Sequence, residues 1–149
     1  MTKRHVSFIL GNEEILLTEK PKKKLSDASF EIMELIWQRK EASVQDIHAA
    51  VNARRDKPVK KETVQVQVSR LERYGWLHRR REGKVYLYSA RHDRDATTRA
   101  ILRDVRDRVF GGSQSELIRC LLNETAVSDE EMHRIRDFLS GMENDPHDD

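Results

Sequence analysis

Apolar positions recur at helical spacing along most of the chain and alternate in a few short runs. Phe30, Met33, Ile36 and Trp37 fall on one stripe of a helix that opens at Ser26, whose hydroxyl suits an N-cap, with Asp27 in the first turn. That stripe predicts a core face. Val44, Ile47, Ala50 and Val51 form the inner face of a second helix, capped by Ser43 with Asp46 at N3, and its lone His48 reads as a surface or half-buried residue, not a ligand. A polar turn over 52–61 follows, and then the stretch from Glu62 to Gly75. There Val64, Val68 and Leu71 share one side of a helix. Val64, Val66 and Val68 also alternate with glutamines, which is the period of a strand. The continuation from Ser69 to Tyr74 restores helical spacing and Gly75 supplies a stop, so a helix is expected.

Beyond Gly75 the period changes to two. Val85, Leu87 and Ser89 alternate with Lys84, Tyr86 and Tyr88, and Glu82-Gly83 predicts a tight turn back onto the run from Trp76 to Arg81. A hairpin directly behind a third helix is a wing, with Arg79, Arg80, Arg81 and Lys84 expected near its tip. At the other end of the chain, the runs 6–10 and 15–18 flank a loop over 11–14 and predict a separate hairpin. The basic segment from Lys20 to Lys24 then reads as a solvated tether. In the C-terminal part, Ile101, Leu102, Val105 and Val109 repeat at helical spacing up to Gly111-Gly112. Ser113 to Glu116 and Ser128 to Glu131 have the form of capping boxes. They open helices whose apolar faces carry Leu117, Ile118, Leu121 and Leu122, then Met132, Ile135, Leu139 and Met142.

These elements predict a mainly α protein with a small β wing: an arm and linker over 1–24, a winged helix-turn-helix domain over 25–90, a helical domain over 91–142 and an acidic tail over 143–149. Three short amphipathic helices hold too little surface for a large core. Ile101, Leu102, Val105, Val109, Leu117, Leu121, Ile135 and Leu139 are therefore expected to pair with a second copy of the chain, with Cys120 packed among them.

With 149 residues, 37% hydrophobic and 36% charged, the chain suits one domain or two small ones. Its single cysteine excludes an internal disulfide framework and a cysteine metal cluster. No apolar run reaches membrane-spanning length and the N-terminus lacks secretory form, so a cytoplasmic location is expected. The net charge is only +2, but residues 54–94 carry 13 Lys/Arg against 5 Asp/Glu, and residues 113–149 carry 3 against 10. A basic middle and an acidic end suit a chain whose middle meets a polyanion.

The expected outer face of the third helix sharpens that reading. Glu62, Gln65, Val66, Ser69, Arg70 and Arg73 present an amide able to bond adenine bidentately, a methyl surface suited to thymine, a hydroxyl and two guanidinium groups. Lys60, Lys61, Arg79, Arg80, Arg81 and Lys84 add phosphate-seeking charge from the turn and the wing. Double-stranded DNA is the expected partner. A protein-interaction winged helix, with the charges serving solubility, is the alternative. The sequence shows no Gly-rich phosphate loop, His-Glu metal spacing or nucleophile motif, and its six histidines are dispersed. No catalytic residue, cofactor or metal site is expected.

The segments Leu25 to Trp37, Thr63 to Val66, Ser69 to Gly75 and Lys84 to Tyr88 resemble the opening helix, recognition helix and wing of the penicillinase-repressor family, and Val109 to Ser113 with the following Leu-rich helix resembles its dimer region. That family holds the beta-lactamase, methicillin-resistance and copper-transport repressors. The resemblance runs from Leu25 to Leu139. It implies a homodimeric repressor on a palindromic operator, inactivated through a sensor or protease, with Thr63, Gln65, Val66 and Arg70 in the DNA-facing helix and Arg80, Arg81 and Lys84 in the wing. Three departures stand out. Gln67 replaces a usual apolar residue. One cysteine excludes the cysteine-pair sensing of the copper-responsive members. No Asn-Phe cleavage pair occurs, and Asp104-Val105 stands near its place.

Overall fold

Serine hydroxyls open the first two helices of the chain by standing in for missing helical acceptors. The computed structural model describes residues 7–10, 13–16 and 21–145. Ser26 accepts from the Ser29 N–H at 3.2 Å and starts α1 (Asp27–Arg39). Ser43 starts α2 (Val44–Ala53) with a full capping box, its hydroxyl taking the Asp46 N–H while the Asp46 carboxylate takes the Ser43 N–H. Helix α3 (Lys61–Arg73) follows. It ends where Gly75 adopts φ +90°, and the Gly75 and Trp76 N–H groups close back onto the Glu72 and Leu71 carbonyls. Only a residue without a Cβ takes that conformation cheaply, so Gly75 is the physical stop.

A three-stranded antiparallel sheet completes the first half of the fold. Its order is β3 (Glu41–Ala42), β5 (Val85–Ala90), β4 (Leu77–Glu82). The pattern of the sequence does not announce β3, which pairs Glu41 with Ser89 and Ala42 with Tyr88. Helices α1, α2 and α3 pack with this sheet around a core containing Ile32, Met33, Ile36, Ile47, Val64, Val68, Leu71 and Leu77. Each such side chain contributes about 1.5–3 kcal/mol when fully buried. Val64 and Val68 are fully buried and Val66 is 49% exposed, so the valine–glutamine alternation is helical, not a strand. Gln67 is half-buried, and the helix packs through its neighbours.

Several expectations need correction. Phe30 and Trp37 are only half-buried, edge to face at 5.8 Å, while Ile32 and Leu35 complete the buried face of α1. This helix meets α2, α3 and β5 at once, so its apolar arc is wider than one stripe. The wing turn is Gly83-Lys84, not Glu82-Gly83, because Glu82 pairs with Val85. Gly83 takes φ +63° and Lys84 does not take a positive φ, which is the pattern of a turn that reserves its first central position for glycine. The N-terminal strands are β1 (Ser7–Leu10) and β2 (Glu13–Leu16), paired antiparallel with Leu10 opposite Glu13, so Glu13 and Glu14 belong to a strand and not to the loop. Val6, Gly11, Asn12, Leu17 and Thr18 of that expectation lie outside the described residues.

The chain divides into two compact units that part between Arg99 and Ala100. Helix α4 (Arg94–Val109) is capped by the Asp93 carboxylate, and α5 (Gln114–Glu124) and α6 (Asp129–Asn144) by Ser113 and Ser128. Each of these serines accepts from the residue three on, which is the serine half of the expected box. Neither α5 nor α6 has a buried residue. Cys120 is exposed in the single chain, on a helix with no buried residue. Among the described residues, no helix is long and apolar enough to cross a membrane.

Candidate nucleic-acid interface

The base of α3 is fixed by its preceding turn. Asn52 pairs with both backbone groups of Val59, accepting from its N–H at 2.8 Å and donating to its carbonyl at 3.2 Å. His48 Nε2 donates to the same carbonyl at 2.7 Å. These bonds close a loop of charged residues and deliver the chain to Lys60 in extended conformation. Lys60 is the N-cap of α3 and makes no side-chain cap bond. The positive end of this helix thus carries Lys60 and Lys61 where the other helices carry Ser or Asp, an arrangement that an anion would relieve.

From there α3 presents one polar face. Glu62, Thr63, Gln65, Val66, Ser69, Arg70 and Arg73 are all exposed. Gln65 Nε2 donates to Ser69 Oγ at 3.2 Å, which orients the amide along the outer surface. Its C-terminal end bears a cluster around Tyr74. Arg73 lies 5.2 Å and Lys23 5.1 Å from the ring centroid, and hydrogen bonds from Arg73 and then Lys23 pull the Tyr74 hydroxyl below the usual phenol range.

Strand alternation divides the wing arginines. Arg79 and Arg81 share one face of β4, and Arg80 takes the other. Arg79 lies 4.3 Å over the Tyr86 ring and 3.4 Å from Glu72 of α3. A hydrogen bond with Tyr88, then the charge of Glu72, raises its affinity for its proton above the ordinary arginine range. The Arg80 guanidinium is committed to Glu41 at 2.6 Å and Glu82 at 2.9 Å, and that contact holds the Glu41 carboxyl below its ordinary range. Arg81 donates to the Gly83 carbonyl at 3.0 Å across the turn. Only Arg81 and Lys84 of the basic wing residues flank the tip. Arg79 sits lower, opposite Tyr88.

A groove of about 390 Å³ runs between the N-terminus of α2, the outer face of α3 and the wing, and it gathers Lys61, Gln65, Arg79 and Lys84. Gln45 and Tyr86 also line it. Sequence reasoning passed over both, although the first helix of a helix-turn-helix pair is expected to approach a backbone. Arg70 and Arg73 lie at the other end of α3. There they line a second depression of about 460 Å³ with Lys23, Lys24, Ser26 and Ser29. The segment over 21–24 is therefore no solvated tether. Trp76 is buried and its indole N–H needs an acceptor, which the Lys23 carbonyl supplies at 2.8 Å, while the Lys22 N–H donates to the Tyr74 carbonyl at 3.0 Å.

The residues expected to pair two copies remain uncovered in the single chain. Ile101, Leu102, Val109, Leu121 and Leu139 are exposed, and Val105, Leu117 and Ile135 are half-buried. Phe138, not singled out by spacing, is 68% exposed.

A family model described as "Penicillinase repressor" matches residues 25–141. The chain is similar to the methicillin resistance regulatory protein MecI of Mammaliicoccus sciuri, 23% identical over 117 residues that cover 78% of this chain and 94% of that protein. It is likewise similar to the penicillinase repressor of Bacillus licheniformis, 23% identical over 121 residues, covering 81% and 93%. Among solved structures, the DNA binding domain of the repressor BlaI aligns with 52% of this chain and 93% of its own at a TM-score of 0.46 and 24% identity.

Proposed function

The chain belongs to the penicillinase repressor family of DNA-binding transcriptional repressors, and from that premise we propose that it binds a palindromic operator as a homodimer, each copy laying α3 in the major groove and its wing on the flanking backbone. The observation that carries the contact assignment is the groove that joins Lys61 and Gln65 of α3 to Arg79 and Lys84 of the wing. In this reading Gln65, Val66 and Ser69 read base edges, with Thr63, Arg70 and Arg73 beside them, while Lys60, Lys61, Arg81 and Lys84 hold phosphates. Arg79 and Arg80 act differently. Each is occupied by carboxylates and an aromatic or strand neighbour within the chain, so each sets the angle of the wing against α3 and β3. The place of action is the cytoplasm.

Support for a homodimer comes from α4, α5 and α6. Val109 is 63%, Leu121 60% and Met142 56% exposed, an apolar surface that a symmetric partner would cover. The test is to select bound fragments from the source genome and measure the mass of the complex on a selected fragment by sedimentation. Two copies on an inverted repeat are expected. One copy on an asymmetric site would refute the dimer, and no enriched fragment would refute the operator reading.

A further inference from the structure

We infer that Lys23 and Lys24, anchored against the C-terminal end of α3, form with Arg70 and Arg73 a second clamp for the duplex backbone, on the opposite side of the major groove from the wing. The inference rests on the duplex-binding reading above and extends it to residues outside the family match, which begins at residue 25.

Three observations lead there. The first is anchoring. The Lys22 N–H to Tyr74 carbonyl bond, the Trp76 indole bond to the Lys23 carbonyl, and the Lys23 ammonium over the Tyr74 ring fix this segment by its backbone and one side chain. A free tether loses conformational entropy when it meets a polyanion, and this segment has lost much of it on folding. The second is composition. The depression gathers four cationic side chains, Lys23, Lys24, Arg70 and Arg73, with the hydroxyl of Ser29, to which the capping Ser26 hydroxyl donates at 3.0 Å. Cations and hydroxyls are the donor set that phosphodiester oxygens take.

The third is distance. Helix α3 has 13 residues, so it is about 20 Å long at roughly 1.5 Å per residue. The major groove is about 12 Å wide. A helix lying in it approaches the sugar-phosphate backbone at both ends. Lys61 and Lys84 serve the N-terminal end with the wing, and the depression beside Arg70 and Arg73 serves the C-terminal end. The two clusters thus address different strands, and a duplex is the anion that fills both together.

The test uses the full chain and the double variant Lys23→Gln/Lys24→Gln, titrated by fluorescence anisotropy against a selected operator duplex and an unrelated duplex over a range of salt. Substitution leaves the Lys23 carbonyl, and hence the Trp76 anchor, in place. The double variant is expected to weaken binding to both duplexes and lower the slope of log affinity against log salt by about two, at roughly 0.9 per phosphate contact. Combining it with Arg81→Ala should lower the slope by about one more, because the sites are independent. A wild-type chain that binds while the double variant keeps the wild-type slope overturns the clamp and leaves the duplex reading intact. A wild-type chain that binds neither duplex at low salt overturns both. Loss of binding to vesicles of equimolar phosphatidylserine and phosphatidylcholine in the double variant, with an unchanged duplex slope, would assign the lysines to a lipid surface and overturn the clamp.

Discussion

Arg80 holds Glu41 through two donors, Nε at 2.9 Å and Nη2 at 2.6 Å, and so ties the outer face of the wing to the short strand ahead of α2. A guanidinium already matched to carboxylates releases few counterions when a phosphate comes near. Arg80→Ala is therefore expected to leave the salt slope of duplex binding unchanged, whereas Arg81→Ala lowers it by about one. Because the pair is exposed, its loss costs the fold little. Salt titrations of the two variants in parallel decide the matter. Slopes lowered equally below wild type would show that both guanidiniums reach the duplex.

The same pair predicts a pH dependence. The Arg80 hydrogen bond lowers the Glu41 carboxyl in the folded chain. A lowered acid contributes stability that is present above the ordinary glutamate range and disappears as pH falls through the folded value. Wing anchoring should thus be complete at neutral pH and weaken only in acid. Titration of the Glu41 carboxyl by NMR should give a lower midpoint in the wild type than in Arg80→Ala. Coincident midpoints would mean that the ion pair does not form in solution.

Gln65 and Ser69 form one unit on the outer face of α3. Gln65→Ala should cost roughly 1–3 kcal/mol at one operator position and almost nothing on unrelated duplex. Competition with single-base operator variants would locate that position. A uniform loss across all variants would recast Gln65 as a backbone contact.

Leu71 and Val66 lie on opposite sides of the same helix, at 2% and 49% exposure. Leu71→Ala should destabilise the fold by about 2–5 kcal/mol, and Val66→Ala should fall within about 0.5 kcal/mol of wild type while weakening operator binding. Thermal melts with binding isotherms would separate the two roles. A large melting shift for Val66→Ala would place that side chain in a packed interface.

These contrasts also show which parts of the molecule can be read from the chain. The inner stripe of α3 and its end at Gly75 follow from local rules, a period of 3.6 and a glycine at positive φ, and both were legible. So were the capped starts of α1, α2, α5 and α6. What escaped is non-local. Glu41 and Arg80 are separated by 39 positions, and Lys23 and Trp76 by 53, so no window of sequence holds either pair. The basic residues of the candidate site were legible as types, but their division into free and committed charges depends on strand register. The expected stripe of α1 holds at Met33 and Ile36 but misses Ile32 and Leu35, because periodicity measures the direction of an apolar arc better than its width.

Uncovered apolar surface on α4, α5 and α6 yields the last expectation. Leu121 and Phe138 are 60% and 68% exposed, and a charge on either is nearly free of cost in a single chain. In a dimer the same charge would be buried without a partner, which is strongly unfavourable. Leu121→Glu and Phe138→Glu should therefore keep the wild-type helical content but sediment as single chains. Their affinity for a full inverted repeat should fall towards that for a half-site, since the two reading heads no longer act at a shared effective concentration. Sedimentation velocity, paired with titrations on full and half operators, measures both effects. Variants that remain dimeric would move the subunit interface away from these two helices.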